Sequence, residues 1–188
     1  DLVLNDMNYR KVQLILKDPT LPMQAVTTDS ATYAYMGVNQ NSSNLRDPRV
    51  RMAIAKSFNL KELIQYKSRG LARQSRGMLA DMNYYANLGI PMVERDLEGA
   101  KKLLDEAGYF NGSNGKTPLR VVLKTSSGTI PVENARVLAA QAKEAGIVLE
   151  HKPFDWGIFF SDVKSGNTEL YTLSWPGISD PHLYYELF

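Results

Sequence analysis

Tyr33-Ala34-Tyr35-Met36-Gly37-Val38-Asn39 is aromatic, apolar and free of charge, and it reads as a buried strand. A polar loop, Gln40 to Asn44, separates it from Asp47-Pro48-Arg49-Val50-Arg51-Met52-Ala53-Ile54-Ala55-Lys56-Ser57-Phe58. That second stretch opens as a helix. Asp47 can accept from the free N–H groups of the first turn, and Pro48 occupies the first helical position, where a missing N–H costs nothing. Val50, Ala53, Ile54 and Phe58 then share one face. A strand followed by a capped amphipathic helix sets the pattern for the rest of the chain.

Downstream the pattern repeats. Asn59 with Glu62 predicts a capping box and a second helix, ending near Gly70. Residues 71–91 show no period and read as a long irregular loop, of the length that is usually functional or mobile. Asp96 caps a helix with Leu97, Ala100, Leu104 and Ala107 on one face, and Gly108-Tyr109 fits a left-handed C-cap. Leu119 to Thr125 reads as a strand, Pro131 to Ala145 as a helix burying Ala135, Leu138, Ala139 and Ala142, and Ile147 to Lys152 as a strand. Asp155 caps a helix whose Trp156, Phe159, Phe160 and Val163 are expected to be buried on one face. Leu170 to Trp175 is the last strand. Upstream, residues 1–5 and 23–28 are strand candidates, with a short helix around Val12 to Leu16 closed by Asp18-Pro19. Strands alternating with helices predict an α/β protein with a sheet packed by helices.

The bulk numbers narrow the classes. With 188 residues the chain is long enough for one domain with a core. Lys plus Arg number 22 and Asp plus Glu 20, so the net charge is +2, and no basic run accompanies it; a nucleic-acid partner is not expected. No apolar run approaches the ~20 residues of a membrane span. Cysteine is absent, which excludes a disulfide frame and thiol chemistry. The start at Asp1 without a leader and the apolar stop at Phe188 lead us to expect a lobe cut from a longer protein.

Several positions are candidate sites, each with a plainer alternative. Ser174-Trp175-Pro176-Gly177-Ile178-Ser179-Asp180-Pro181 ends a strand in an indole, then a Pro-Gly turn, then an acid. An indole offers a flat apolar wall with one donor, suited to an extended ligand; the alternative is a turn beside a core Trp. Asn39 can donate to and accept from a peptide main chain, or cap its own turn. Ser126 and Ser127, with Gly128 and Thr129, precede a helix start that favours anions, or form a solvated loop. His151 alternates with Ile147 and Leu149, which favours a core or edge histidine over a ligand. His151 and His182, isolated from each other and without Cys, argue against a protein-built metal site, and no cofactor is expected. A hydrolase using Asp180 and His182 would lack a nucleophile constellation.

Five stretches in one order carry a resemblance: 33–39 (YAYMGVN) with 47–58 (DPRVRMAIAKSF), 96–109 (DLEGAKKLLDEAGY), 143–156 (KEAGIVLEHKPFDW) and 173–181 (LSWPGISDP). Together the chain resembles the middle of the family 5 extracellular solute-binding proteins, the peptide- and nickel-type receptors of ABC importers. The resemblance implies one lobe of a class II periplasmic-binding-protein-like fold, a mixed β-sheet packed by helices. It implies no enzyme. It implies a monomeric receptor, periplasmic or extracellular and held at the membrane by a signal or lipid anchor outside this stretch. There two lobes of one chain close on an oligopeptide or other small solute and hand it to a membrane permease. A solute-sensing module of a transcriptional regulator is the alternative.

The resemblance places Trp175 to Asp180 and Asn39 on the cleft side and the 71–91 loop near it. Two departures follow. Members that bind a free peptide amine often carry an Asp three residues after the Trp, where this chain has Ile178, leaving Asp180 as the acid of the segment. No Arg stands in the 126–129 loop, where some dipeptide-type members place one.

Overall fold

The computed structural model describes residues 9–30, 32–110, 115–175 and 180–182. The expected strand over residues 1–5 lies outside them. Upstream of the sheet, α1 (Tyr9–Lys17) forms as its apolar spacing predicts. The candidate strand over 23–28 does not form; the segment carries no regular structure, pairs with no strand among the described residues, and leaves Val26 exposed.

Four strands make one sheet: β1 (Tyr33–Val38), β2 (Arg120–Ser126), β3 (Val148–Phe154) and β4 (Leu170–Trp175), in the order β1-β4-β2-β3. β2 runs parallel to β3 and to β4, and β1 runs antiparallel to β4. The stretch expected to be a buried strand is an edge strand. Only Gly37 in it is buried; its rings and Met36 are half-covered. Its apolar composition reflects two partly covered faces rather than a central position.

The helices cap and pack as the sequence predicts. α2 (Pro48–Ser57) starts on Asp47, whose Oδ1 accepts from Arg49 N at 2.8 Å, and buries Val50, Ala53 and Ile54. α4 (Leu97–Glu106) starts on Asp96 and packs Ala100 and Leu104 into the same core. It closes with Tyr109 N donating to Leu104 O and Gly108 at φ +91°, the left-handed cap its sequence encodes. α5 (Thr129–Glu144) begins earlier than the expected Pro131, taking Thr129 and Ile130 out of the polar loop. Beneath it Val121, Leu123, Leu149 and Leu170 form the sheet side of the core.

α3 (Leu60–Tyr66) shows how a local signal became a tertiary one. Asn59 Oδ1 accepts from Glu62 N, as a capping box requires. The return bond to Asn59 N comes from elsewhere: buried Gln141 of α5 accepts it through Oε1 at 3.0 Å, and its Nε2 donates to Glu62 Oε2 at 3.0 Å.

α6 (Trp156–Lys164) covers the opposite face of the sheet, and here the expected burial is corrected. Phe159 is fully buried against Tyr171, Leu173 and Phe154, while Phe160 and Val163 are half-buried and Trp156 is 54% exposed. Trp156 occupies the first helical position, ahead of the turns that lie over the sheet, and its ring stacks on Phe160 at 5.3 Å. Lys124 of β2 fixes the far end of α6, reaching Asp162 at 2.8 Å and Asn167 O at 2.6 Å. That bond holds the Asp162 carboxyl below its ordinary range.

Candidate functional site

Three parallel strands end at one edge of the sheet, in Ser126, Phe154 and Trp175, and β1 begins there at Tyr33. Ligand sites in open α/β sheets favour the carboxyl ends of the parallel strands. Alternation along each strand decides which side chains meet. Tyr33, Tyr35 and Gly37 face the same side as their partners Trp175, Leu173 and Tyr171. Ser126 and Phe154 are register partners and share that side, because Lys124 pairs with Tyr171.

An aromatic row results. Tyr33 stacks on Tyr35 at 6.0 Å, Tyr35 meets Tyr171 edge to face at 6.2 Å, and Trp175 Nε1 donates to Tyr35 Oη at 3.1 Å. Burial raises all three phenol pKa values, that of Tyr171 to about 12, with Tyr35 nearby adding to it. The row is therefore uncharged across the physiological range, an apolar wall with hydroxyl and indole groups along it, half-covered at Tyr33, Tyr35 and Trp175 and buried at Tyr171 against Phe159. Trp175 is half-buried, with its indole N–H engaged by the row itself.

The neighbouring strand ends supply polar groups. Ser127 N donates to Phe154 O at 2.8 Å, tying the β2 and β3 exits together. Ser126 is half-buried and Ser127 exposed. The start of α5 has Gly128 at its cap and no side-chain bond to its first N–H groups. Asp155 closes the start of α6 by accepting from Gly157 N at 3.0 Å, and the exposed Trp156 follows it at the same edge. The sequence reading missed Trp156 as an edge residue. Its helical spacing matches a core face; the signal lay in its place one residue after the cap, at a strand exit.

The candidate residues do not all meet. Asn39 lies at the other end of the sheet, since Val38 pairs with Leu170 rather than with Trp175. Five steps of strand, roughly 16 Å, separate the two levels. Antiparallel pairing is the cause: the end of β1 falls beside the beginning of β4. The Asn39 amide is engaged there, donating to Gly166 O and Thr168 O at 2.9 and 2.8 Å and accepting from Asn41 N. Ser174 is at the strand-end edge but faces away from Trp175, exposed on the other side. Asp180 accepts from His182 N at 2.8 Å, an Asx turn. Pro176, Gly177 and Ile178 lie outside the described residues. His151 sits on the core side of β3, its Nε2 2.8 Å from Thr125 Oγ1. Burial, with Arg136 nearby, lowers its pKa. Among the described residues no cluster of three His, Asp or Glu could hold a metal, and no helix is long and apolar enough to cross a membrane.

A mixed sheet helix-packed on both faces, with an aromatic row at its strand exits, has the architecture of a solute-binding lobe. The comparisons with known proteins agree: residues 1–188 match the family described as bacterial extracellular solute-binding proteins, family 5 middle, and the chain belongs to that family. Di/tripeptide-binding protein 2 of Pseudomonas aeruginosa is 29% identical over 168 residues, covering 88% of this chain and 30% of its own length. The periplasmic binding protein DppA of Helicobacter pylori, solved with the peptide STSA, matches with a TM-score of 0.78 at 24% identity, over 93% of this chain and 32% of that one. NikA of Brucella suis, solved with Fe(III)-EDTA, matches with a TM-score of 0.74 at 22% identity, over 83% and 33%. At such identities the solved structures share the fold. The chain spans about a third of the length of these relatives. Substrate-binding proteins of this family are not enzymes, and they are periplasmic or extracellular. None of these relatives supports the regulator alternative.

Proposed function

We propose that this chain is one lobe of a two-lobed ABC-importer receptor for oligopeptides. It acts by closing with the rest of its own chain over the ligand and presenting it to a membrane permease. The receptor works as a monomer held at the membrane by an anchor outside this stretch. The observation that carries the reading is the uncharged aromatic row, Tyr33, Tyr35, Tyr171 and Trp175, at the strand exits of a lobe whose family includes peptide receptors. Rings and hydroxyls fixed in one row suit an extended main chain with varied side chains, because they grip area rather than a particular group.

Trp175 supplies the wall, and the exposed Trp156 extends it across the β3 exit. Ser126 and Ser127 at the uncapped start of α5 face an anionic group such as a ligand carboxylate. Pro176, Gly177, Ile178 and Asp180, which follow Trp175 in the sequence, are the further contacts, and Ser174, facing the other side of the sheet, is not one of them. Ile178, where a free amine would meet an acid in other members, leaves Asp180 as the counter-charge. Asn39 drops out of the contact set, being held by the turn before β4.

Isothermal calorimetry of the full-length receptor with a defined tripeptide library tests the reading. Binding in the micromolar range, weakened at least tenfold by Trp175→Ala without a change in melting temperature, is the expected result. A receptor that binds no tripeptide, or a Trp175→Ala protein that binds as well as wild type, would overturn it.

A further inference from the structure

Behind the β2 exit lies a hydrogen-bond relay that the aromatic row does not use. His151 Nε2 is 2.8 Å from Thr125 Oγ1, and the Thr125 hydroxyl is 2.9 Å from Ser126 O. Thr125 is fully buried and His151 half-buried, on the side of the sheet that packs against α5. Ser127 N donates to Phe154 O and Leu119 O accepts from Val148 N, so the odd-numbered residues along β2 turn their main-chain groups to β3. Ser126 turns its own towards β4, and the register between β2 and β4 stops short of it, at Lys124 and Tyr171. Ser126 O therefore points into the opening between the β2 and β4 exits. The crossovers diverge at that opening: α5 leads from β2 to β3 on one side, and α6 leads from β3 back to β4 on the other. Ligands of open α/β sheets sit at such points.

A hydroxyl has one proton to give. When Thr125 gives it to Ser126 O, the hydroxyl oxygen accepts from a protonated Nε2. When the hydroxyl turns to Nε2, that nitrogen carries no proton, and Ser126 O is left for a donor of the ligand. An imidazolium is protonated on both nitrogens and permits only the first arrangement. The surroundings hold the ring towards its neutral form. Val121 and Leu123 of β2 are apolar on this side. On α5, Glu133 is bonded to Lys67 and Glu144 to Arg95, Lys143 is exposed, and Arg136 is the cation that acts on the ring. Arg120 and Lys124 of β2, Glu150 and Lys152 of β3, and Asp162 and Lys164 of α6 belong to the opposite face.

We propose that His151 is a positioning residue that sets, through the Thr125 hydroxyl, whether Ser126 O is free to accept from the ligand, so that a proton on the ring and a ligand at the β2 exit compete. This rests on the proposed function in that the ligand is a peptide, whose main chain supplies the N–H donor. The competition is reciprocal: the factor by which protonation weakens binding is the factor by which the ligand weakens the ring's hold on its proton.

The test uses the full-length receptor, with calorimetry of Ala-Leu-Ala between pH 7.5 and 5 and NMR of the 15N-labelled His151 ring and the 13C-labelled Ser126 carbonyl. From pH 7.5 to 5 the wild-type Kd is expected to rise at least fivefold more than that of His151→Leu or Thr125→Val. Saturating Ala-Leu-Ala weakens proton binding at His151 by the same factor. In the free receptor the Ser126 carbonyl shift follows the His151 titration, and it ceases to do so in Thr125→Val. Tripeptide binding with one and the same pH dependence in all three proteins overturns the competition and leaves the peptide reading standing. If Ala-Leu-Ala does not bind, the peptide reading falls and the carbonyl decides: a shift that follows the ring and is lost in Thr125→Val supports the relay, and an unmoved carbonyl overturns it.

Discussion

Gly37 leaves no room for a side chain, because a Cβ built there would fall within the ring of its partner Tyr171. The ring lies over the glycine and fills the gap in the aromatic face. Gly37→Ala is therefore expected to cost roughly 1–3 kcal/mol, the range for overpacking a fixed site, read as a lower urea midpoint of this chain. An unchanged midpoint would mean that the Tyr171 ring moves freely. His151 makes a second residue-scale prediction. Its folded pKa is depressed below the ordinary 6.5 by burial, with Arg136 adding to it. The unfolded chain then binds more protons than the folded one, so this histidine's contribution is fully present above about pH 6.5 and is lost as pH falls towards the folded value. The carboxyl groups of Asp47, Asp96 and Asp162 are also depressed, from 3.8, and act only in more acid solution. Stability should thus begin to fall below pH 6.5 in wild type, and His151→Gln should remove that part of the slope; equal slopes between pH 6.5 and 5 would contradict it.

At the scale of elements, α6 shows what was legible in the sequence and what was not. Its cap, length and terminal Gly166 at φ +72° follow the sequence signals. Its burial does not, because Trp156, Phe159, Phe160 and Val163 share a face by spacing, while how far that face overlaps the sheet is a tertiary matter. Phe159→Ala is expected to cost about 3–5 kcal/mol, and Phe160→Ala less than half as much, since Phe160 is half-exposed beneath Trp156. Equal midpoints for the two variants would place both rings in the core. Acrylamide should likewise quench Trp156 more than Trp175, in single-Trp variants, and the reverse order would contradict the burial described. α2 and α4 were readable almost completely because their caps are local. The capping box at α3 was half readable: Asn59 to Glu62 is local, but the bonds to Gln141 join residues 82 apart. The edge position of β1, and with it the displacement of Asn39, was not readable at all. Strand order and direction depend on pairing with β4, over a hundred residues on, and an apolar strand looks alike at centre and edge.

On the scale of the whole molecule, the proposed two-lobed receptor would have this lobe as one wall and the rest of its chain as the other. A ligand on one wall still loses its rotational and translational freedom, at several kcal/mol or more, while recovering only part of its contacts. Each ~1.4 kcal/mol lost weakens binding tenfold. The 188-residue chain is therefore expected to fold yet bind tripeptides at least a hundredfold more weakly than the full-length receptor; equal affinities by calorimetry would put the entire site in this lobe. The central claim is that the ligand lies at the strand exits and not at the opposite end of the sheet. Hydrogen exchange of the full-length receptor with and without a bound tripeptide tests it most directly. Protection should appear in segments 126–132, 154–158 and 173–181, with residues 39–45 and 166–170 unchanged. Protection confined to 39–45 and 166–170 would place the ligand at the other end of the sheet and contradict the account.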